Sequence, residues 1–452
     1  MFRACAFALL ALVGVEDASA QQVADTNRVR WDVGGMANAV VTRASPAYAS
    51  RTLSETQLVQ PVLMTETGWH NFSIDAALNG EGYTLKRGEL NAGIFGEGYV
   101  DRRHPHTLLH ELMVSWKKRL FDRDESHTHI DFSIAAGRGF VPFGSDDPMM
   151  RPLEKYPVNH HHSQIIEREQ AIGALRFSRG ERYAAIEYAR FNGDEPAGPF
   201  KGPQWSRMGD SWSARITMQP LDGLEISGSR AHVISPELQQ GGAFDHAQRN
   251  VLARFDKPTS SGNTRYLLAE WAQTDEITNH RTAFTYHSQL AEGAYGWRWA
   301  QISARAERTD RAEQMRLRDP FREPLGHVDF QILGVTQWKL ATVGIQGPFI
   351  SNRSMHATPF LEVARLVPTS RNTPSVFEPL LFYGKPTLWS YTAGVRLQVG
   401  TMRSRMGRYG VMQNKRDATM GSMRGMSMPG TNMTGTNMTG PNVQGTRSNQ
   451  RQ

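Results

Sequence analysis

Disulfides, membrane helices and a basic body are what this sequence lacks. It has one cysteine in 452 residues, Cys5, so no disulfide can form within the chain. The residues around Cys5 do not form a lipid-attachment box. No stretch after the first twenty residues reaches the eighteen or so apolar residues that a membrane helix requires. Hydrophobic content is 39% and mean hydropathy −0.49, values that suit a soluble chain but leave open a membrane sheet, whose strands are apolar on one side only. The formal charge of +7 is not spread evenly: residues 401–452 hold eight Lys/Arg against one acid, which leaves the rest nearly neutral. A nucleic-acid partner is therefore not indicated. No phosphate loop, paired-carboxylate site or Ser-His-Asp order can be located, so neither enzymatic activity nor a cofactor is expected.

What is present begins with an export signal. Met1 to Ala20 has Arg3 in a short basic start, an apolar run from Ala4 to Val15, and Ala18-Ser19-Ala20 before Gln21. This pattern predicts a signal peptide at 1–20 cleaved after Ala20. The mature chain would contain no thiol.

The clearest pattern lies at Ser211 to Ser229. Trp212, Ala214, Ile216 and Met218 alternate with Ser211, Ser213, Arg215, Thr217 and Gln219. Pro220-Leu221-Asp222-Gly223 then turns the chain, and Leu224, Ile226 and Gly228 alternate with Glu225, Ser227 and Ser229. A period of two with a tight turn predicts an antiparallel hairpin with one apolar and one polar face. The same rule runs from Trp69 to Gly400. Phe72, Ile74, Ala76 and Leu78 oppose Asn71, Ser73, Asp75 and Asn79, and Tyr391, Ala393, Val395, Leu397 and Val399 oppose Ser390, Thr392, Gly394, Arg396 and Gln398. Leu90 to Gly98 is a Gly-rich candidate strand, and Ala341 to Asn352 is the weakest segment.

Short and long connections alternate, as they do when one rim of a barrel faces the periplasm and the other the outside. The predicted fold class is all-β: a transmembrane antiparallel up-and-down β-barrel of about 14–16 strands over 58–400. Residues 21–57 read as a polar linker or lumen segment, and 401–452 as a Met-rich, basic, disordered tail. Trp69, Trp116, Tyr188, Trp212, Trp271, Tyr286, Trp297, Trp299, Trp338 and Trp389 are candidates for interfacial aromatic girdles. The expected location is the bacterial outer membrane. Its lipid, the barrel-assembly machinery and small polar or ionic solutes are the expected partners, with a homo-oligomer compatible with the fold.

Several charged residues fall on the polar, inward rows. Asp131, Arg138, Arg176, Glu187, Arg215, Glu225, Arg254, Glu270, Arg305, Glu307 and Arg396 are candidate pore-lining residues, either as rings that set selectivity or as ion pairs that brace the lumen. His160, His161 and His162, with Asp146 and Asp147, lie in the long patternless run after Gly139 and offer imidazole and carboxylate to a transition metal. Met420, Met423, Met426 and Met428 offer thioethers suited to Cu(I). His104, His106 and His110 share strand parity beside Glu111 and read as interfacial or turn histidines.

Gly137-Arg138-Gly139-Phe140-Val141-Pro142-Phe143-Gly144, with Ile165-Ile166-Glu167-Arg168 after it, resembles the Gly-x-x-x-x-Pro-Phe-Gly and Glu-Arg segment of phosphate-selective porins. That resemblance implies a porin-type barrel with a basic constriction for anions, although no dense lysine ladder accompanies it here. The stretch from Gly88 to His106 is similar to uncharacterised outer-membrane proteins. The function that follows is a channel for passive or weakly selective passage of small polar or ionic solutes. The alternatives are a metal-handling protein that uses the tail and His loop, or a structural barrel with a plugged lumen.

Overall fold

A computed structural model of the chain describes residues 29–413, apart from 49, 86–105, 124–125, 147, 159, 197, 203–204, 237, 239–241, 259–263, 298, 315–331, 348–349, 352–354, 372–376 and 404. The predicted signal peptide, the Leu90 to Gly98 candidate and Met420, Met423, Met426 and Met428 lie outside the described residues.

In order the strands are β1 (Arg30–Tyr48), β2 (Arg51–Trp69), β3 (Phe72–Asn79), β4 (Leu109–Arg123), β5 (Thr128–Gly139), β6 (Arg168–Arg179), β7 (Arg182–Phe191), β8 (Ser211–Leu221) and β9 (Leu224–Val233). They continue as β10 (Asp245–Pro258), β11 (Thr264–Thr278), β12 (Arg281–Gly296), β13 (Gln301–Gln314), β14 (Ile332–Gln346), β15 (Ile350–Ser351), β16 (Met355–Ser370) and β17 (Leu388–Gly400). Each long strand pairs antiparallel with its sequence neighbours. β14 pairs directly with β16, so the two-residue β15 is an edge feature and sixteen strands make the wall. β1 joins β17 in the register Gly34↔Gly400 to Ser45↔Trp389, which closes the sheet and leaves no free edge. The weak segment after Ala341 divides between the end of β14 and β15.

Closure corrects one expectation. Most of 21–57 is not linker but β1 and the start of β2, which form the seam of the barrel. The alternation there is blurred because inward positions are occupied by Met36, Val40 and Ala44 as well as by Asn38 and Thr42. These apolar residues pack against material inside the lumen, so polarity no longer marks the face.

Elsewhere the pattern sorts as physics requires. Ile186, Ile216, Ile226, Val251, Ile302, Val343 and Leu361 are exposed on the outer face, while Ser213, Thr217, Ser227, Ser303 and Thr342 are buried on the inner one. Trp31, Trp69, Tyr188, Trp297, Trp299 and Trp389 stay on the outside, where amphipathic rings suit the membrane interface. Trp338 and Tyr286 do not join a girdle. Trp338 is 0% exposed and meets Tyr383 edge to face at 5.6 Å, and the Tyr286 hydroxyl lies 3.2 Å from Glu276. Trp338 turns inward because the helical turn Pro379–Tyr383 folds over that rim and supplies an apolar surface.

Both ends of the wall, Arg30 and Gly400, lie at the rim carrying the turns 70–71, 180–181 and 222–223. The opposite rim carries 140–167, 192–210 and 234–244.

Candidate functional site

The interior of the barrel is filled from both rims. From the long-loop end, residues 140–167 fold inward. Gly144 makes the bend possible: its φ is +60°, and a Cβ there would sit 1.8 Å from the Ser163 carbonyl oxygen. On either side of the bend Val141, Phe143 and Ile165 pack on Met113, Ile172, Ala189, Phe191 and Ala231 of the wall. From the short-turn end, residues 401–413 climb into the lumen. Thr401 N–H donates to the Val33 carbonyl at 2.9 Å, Val411 N–H donates to Ser133 Oγ at 3.0 Å, and the Phe140 N–H donates to the Tyr409 hydroxyl at 3.0 Å. The start of the 401–452 tail is thus not disordered but buried inside the barrel.

The two inserts meet in a charge cluster. Arg405 forks onto Glu225 with two contacts of 2.9 Å and also pairs with Asp146. Arg408 reaches Glu225 at 2.6 Å and Asp146 at 3.0 Å, and Arg254 pairs with Asp146 from the wall. Burial would raise the Asp146 carboxyl, but the guanidinium groups of Arg405, Arg408 and Arg254 outweigh it and hold Asp146 well below the usual carboxylate range. Arg403 similarly pairs with Glu111 and lies 3.4 Å from Asp75.

All eleven candidate pore-lining residues face inward, in two groups. Glu187 and Arg215 are register partners on β7 and β8, joined by contacts of 2.6 and 2.9 Å. Arg138 and Glu169 are partners on β5 and β6 at 2.8 Å, and Arg305 reaches Glu292 at 3.0 Å and Glu307 at 2.8 Å. Asp131 holds Arg119 at 2.9 Å near the short-turn rim. These pairs are neighbours along the wall rather than bridges across the lumen, and Arg305 in addition donates to the Lys155 and Tyr156 carbonyls of the insert at 2.7 and 3.1 Å.

The second group grips the inserts. Glu225 and Arg254 do so as described. Arg176 donates to the Val411 carbonyl at 3.0 Å, Arg396 holds Glu154 at 2.5 Å, and Glu270 accepts from Asn250 at 2.8 Å with Arg151 at 3.8 Å. Glu307 also accepts the Val158 N–H at 2.8 Å. Burial pushes the Glu154 carboxyl up to about 7 against the opposing pull of Arg396, and burial pushes the Lys155 ammonium down to about 7. Beside the cluster a small pocket remains, lined among others by Asp146, Arg151, Arg254, Tyr266 and Arg405.

His160 and His162 lie on the helical turn His160–Ser163. His160 Nδ1 is 2.9 Å from the Pro157 carbonyl, whereas His162 lies 3.1 Å from Thr274 Oγ1 and 3.0 Å from the Asp310 carbonyl. The two rings are thus held in separate hydrogen bonds.

Sequence reasoning missed a different trio. His106, His110 and Glu167 converge, with His110 Nδ1 at 2.5 Å and His106 Nδ1 at 3.2 Å from Glu167 Oε1. Strand parity pointed to the histidines, but Glu167 comes from another strand's entry and no local spacing marks it.

A closed wall of sixteen antiparallel strands, an apolar outer belt, long loops at one rim and a charged lumen entered by a loop together decide the fold. It is a transmembrane up-and-down β-barrel. No family model and no curated protein matches the chain. Among solved structures it is similar to an anion-selective porin from Comamonas acidovorans, at 8% identity over 83% of this chain and 100% of that one, with a TM-score of 0.43. It is also similar to Pseudomonas putida OprB, at 10% identity over 83% of this chain and 95% of that one, TM-score 0.48. The outer-membrane channel DcaP of Acinetobacter baumannii is a third, at 7% identity over 84% and 100%, TM-score 0.42.

Proposed function

We propose that this barrel is an outer-membrane channel for small polar or ionic solutes, narrowed by the 140–167 loop and the 401–413 segment. The observation that carries this reading is the inward facing of charged side chains in a wide barrel whose outer belt is apolar. Three arginines and one aspartate border the small pocket beside the cluster, and this local excess of cations supports a weak preference for anions. The assembled protein sits in outer-membrane lipid with its long loops outside.

Planar-bilayer recording tests it. The full chain is expected to conduct weakly, with a reversal potential displaced toward the anion. Arg405→Gln with Arg408→Gln leaves Asp146 and Glu225 without the segment's cations, loosens the segment, and is expected to raise conductance severalfold. The second reading, a structural barrel with a permanently filled lumen, is favoured by the same buried cluster. It wins when neither protein conducts.

A further inference from the structure

The rim that carries the long loops holds a site the channel reading does not use. We infer that His106, His110 and Glu167 bind a divalent transition-metal ion of the zinc class. All three are buried, and one ligand atom from each lies within 4.8 Å of the other two. The imidazoles stand edge to face, 4.8 Å between centroids, with both Nδ1 atoms aimed at the same carboxylate oxygen. Two imidazoles and a carboxylate are a donor set for zinc-class ions.

Dimensions fit with a small adjustment. An ion bonded at about 2.1 Å in tetrahedral geometry holds its ligand atoms roughly 3.4 Å apart. The His106–Glu167 separation of 3.2 Å already matches this, and the His110–Glu167 contact of 2.5 Å opens by less than an ångström. On its other side His106 presents Nε2 toward Glu81, with 3.9 Å to Oε2. A carboxylate on the second nitrogen is the usual support of a metal-bound imidazole. Glu81 is held in turn, because its Oε1 accepts the Gln60 N–H at 3.0 Å.

The backbone is bent at three points to build this cluster. Leu78 pairs with Leu109 and Ala77 with Glu111, so His110 is the extra residue of a β-bulge that turns it inward. Glu167 and Gln60 both adopt positive φ, +57° and +51°, in the region that favours glycine. Glu167 receives the Thr107 N–H at 3.0 Å, which fixes its carboxylate in place. Such irregularities persist where a side chain must be aimed, and here they aim at one point. This site shares no residue with the His160–His162 run or with the methionine set of the tail.

Equilibrium dialysis of the full chain in detergent against Zn(II), with the visible absorbance of bound Co(II) as a second readout, decides the matter. The expected result is one Zn(II) per chain and a Co(II) spectrum of a four-coordinate nitrogen–oxygen site. Glu167→Gln should weaken binding at least tenfold, His106→Asn with His110→Asn should abolish it, and Glu81→Gln should weaken it by about 10- to 100-fold. Replacing Met420, Met423, Met426 and Met428 by leucine in the full chain should leave it unchanged. Absence of stoichiometric Zn(II) in the unsubstituted protein overturns the inference. So does binding that survives Glu167→Gln undiminished, or that disappears with the methionines. If the double histidine variant does not assemble, Glu167→Gln, close to isosteric, carries the test.

Discussion

Charge at single residues behaves in two opposite ways inside this lumen. Asp146 is surrounded by cations and its pKa is depressed, so the stability it contributes is present above the ordinary carboxylate range and is lost only as pH falls through the depressed value. It therefore adds a constant contribution between pH 5 and 9. Glu154 has the opposite sign. Its folded pKa, near 7, lies above its unfolded value, so the folded state binds the extra proton and stability rises as pH falls from 7 toward 4.5. Lys155, depressed to about 7, makes stability rise as pH goes from 7 toward 10.5. The thermal midpoint of the detergent-purified protein is thus expected to pass through a minimum near pH 7. Glu154→Gln should shrink the rise from pH 7 to pH 5, and a variant whose rise equals that of the unsubstituted protein refutes the assignment.

A second residue-scale consequence concerns Gly144. A side chain there meets both positive φ and the Ser163 carbonyl, so Gly144→Ala is expected to cost about 1–3 kcal/mol. The loss can be read as a lower temperature for the shift from compact to unfolded electrophoretic mobility. An unchanged transition would mean that the loop does not hold this bend.

At the scale of the element, the β8–β9 hairpin shows how far a period of two reaches. Its apolar row was legible from Trp212, Ile216 and Ile226, and its polar row from Arg215, Thr217 and Glu225. Ile216 is 54% exposed on the outer face and Thr217 is 0% exposed on the inner one. Ile216→Arg is expected to block membrane assembly, at about 2–4 kcal/mol near the midplane. Thr217→Arg should assemble and change conductance. Folding assays in vesicles separate the two, and equal assembly of both variants would contradict the facing. β14 shows where the reading fails: Trp338 and Leu340 point inward while Lys339 is exposed outward. Alternation fixes that two faces exist. Which of them is apolar depends on what the inner face touches.

For the whole molecule, the order of the strands and the rim that carries the long loops followed from short and long connections, because an antiparallel meander leaves its turns no other arrangement. The candidate pore residues were legible for the same reason, since inward parity is a local property. Their partners were not. Glu187 with Arg215 is a neighbouring pair that register alone could supply, but Glu225 with Arg405 and Arg408 joins residues about 180 apart in sequence. Conductance of the Arg405→Gln, Arg408→Gln protein is the measurement at this scale, as it asks whether that distant contact closes the lumen.

The sequence by itself determined a membrane-spanning sheet: a period of two sustained over most of the chain, with one apolar and one polar row, admits few other folds. Tertiary structure decided that β1 closes on β17, that the lumen is filled from both rims, and that His106, His110 and Glu167 meet. Each of these rests on contacts between segments far apart in the chain, and a local period does not say which distant segment a residue will meet.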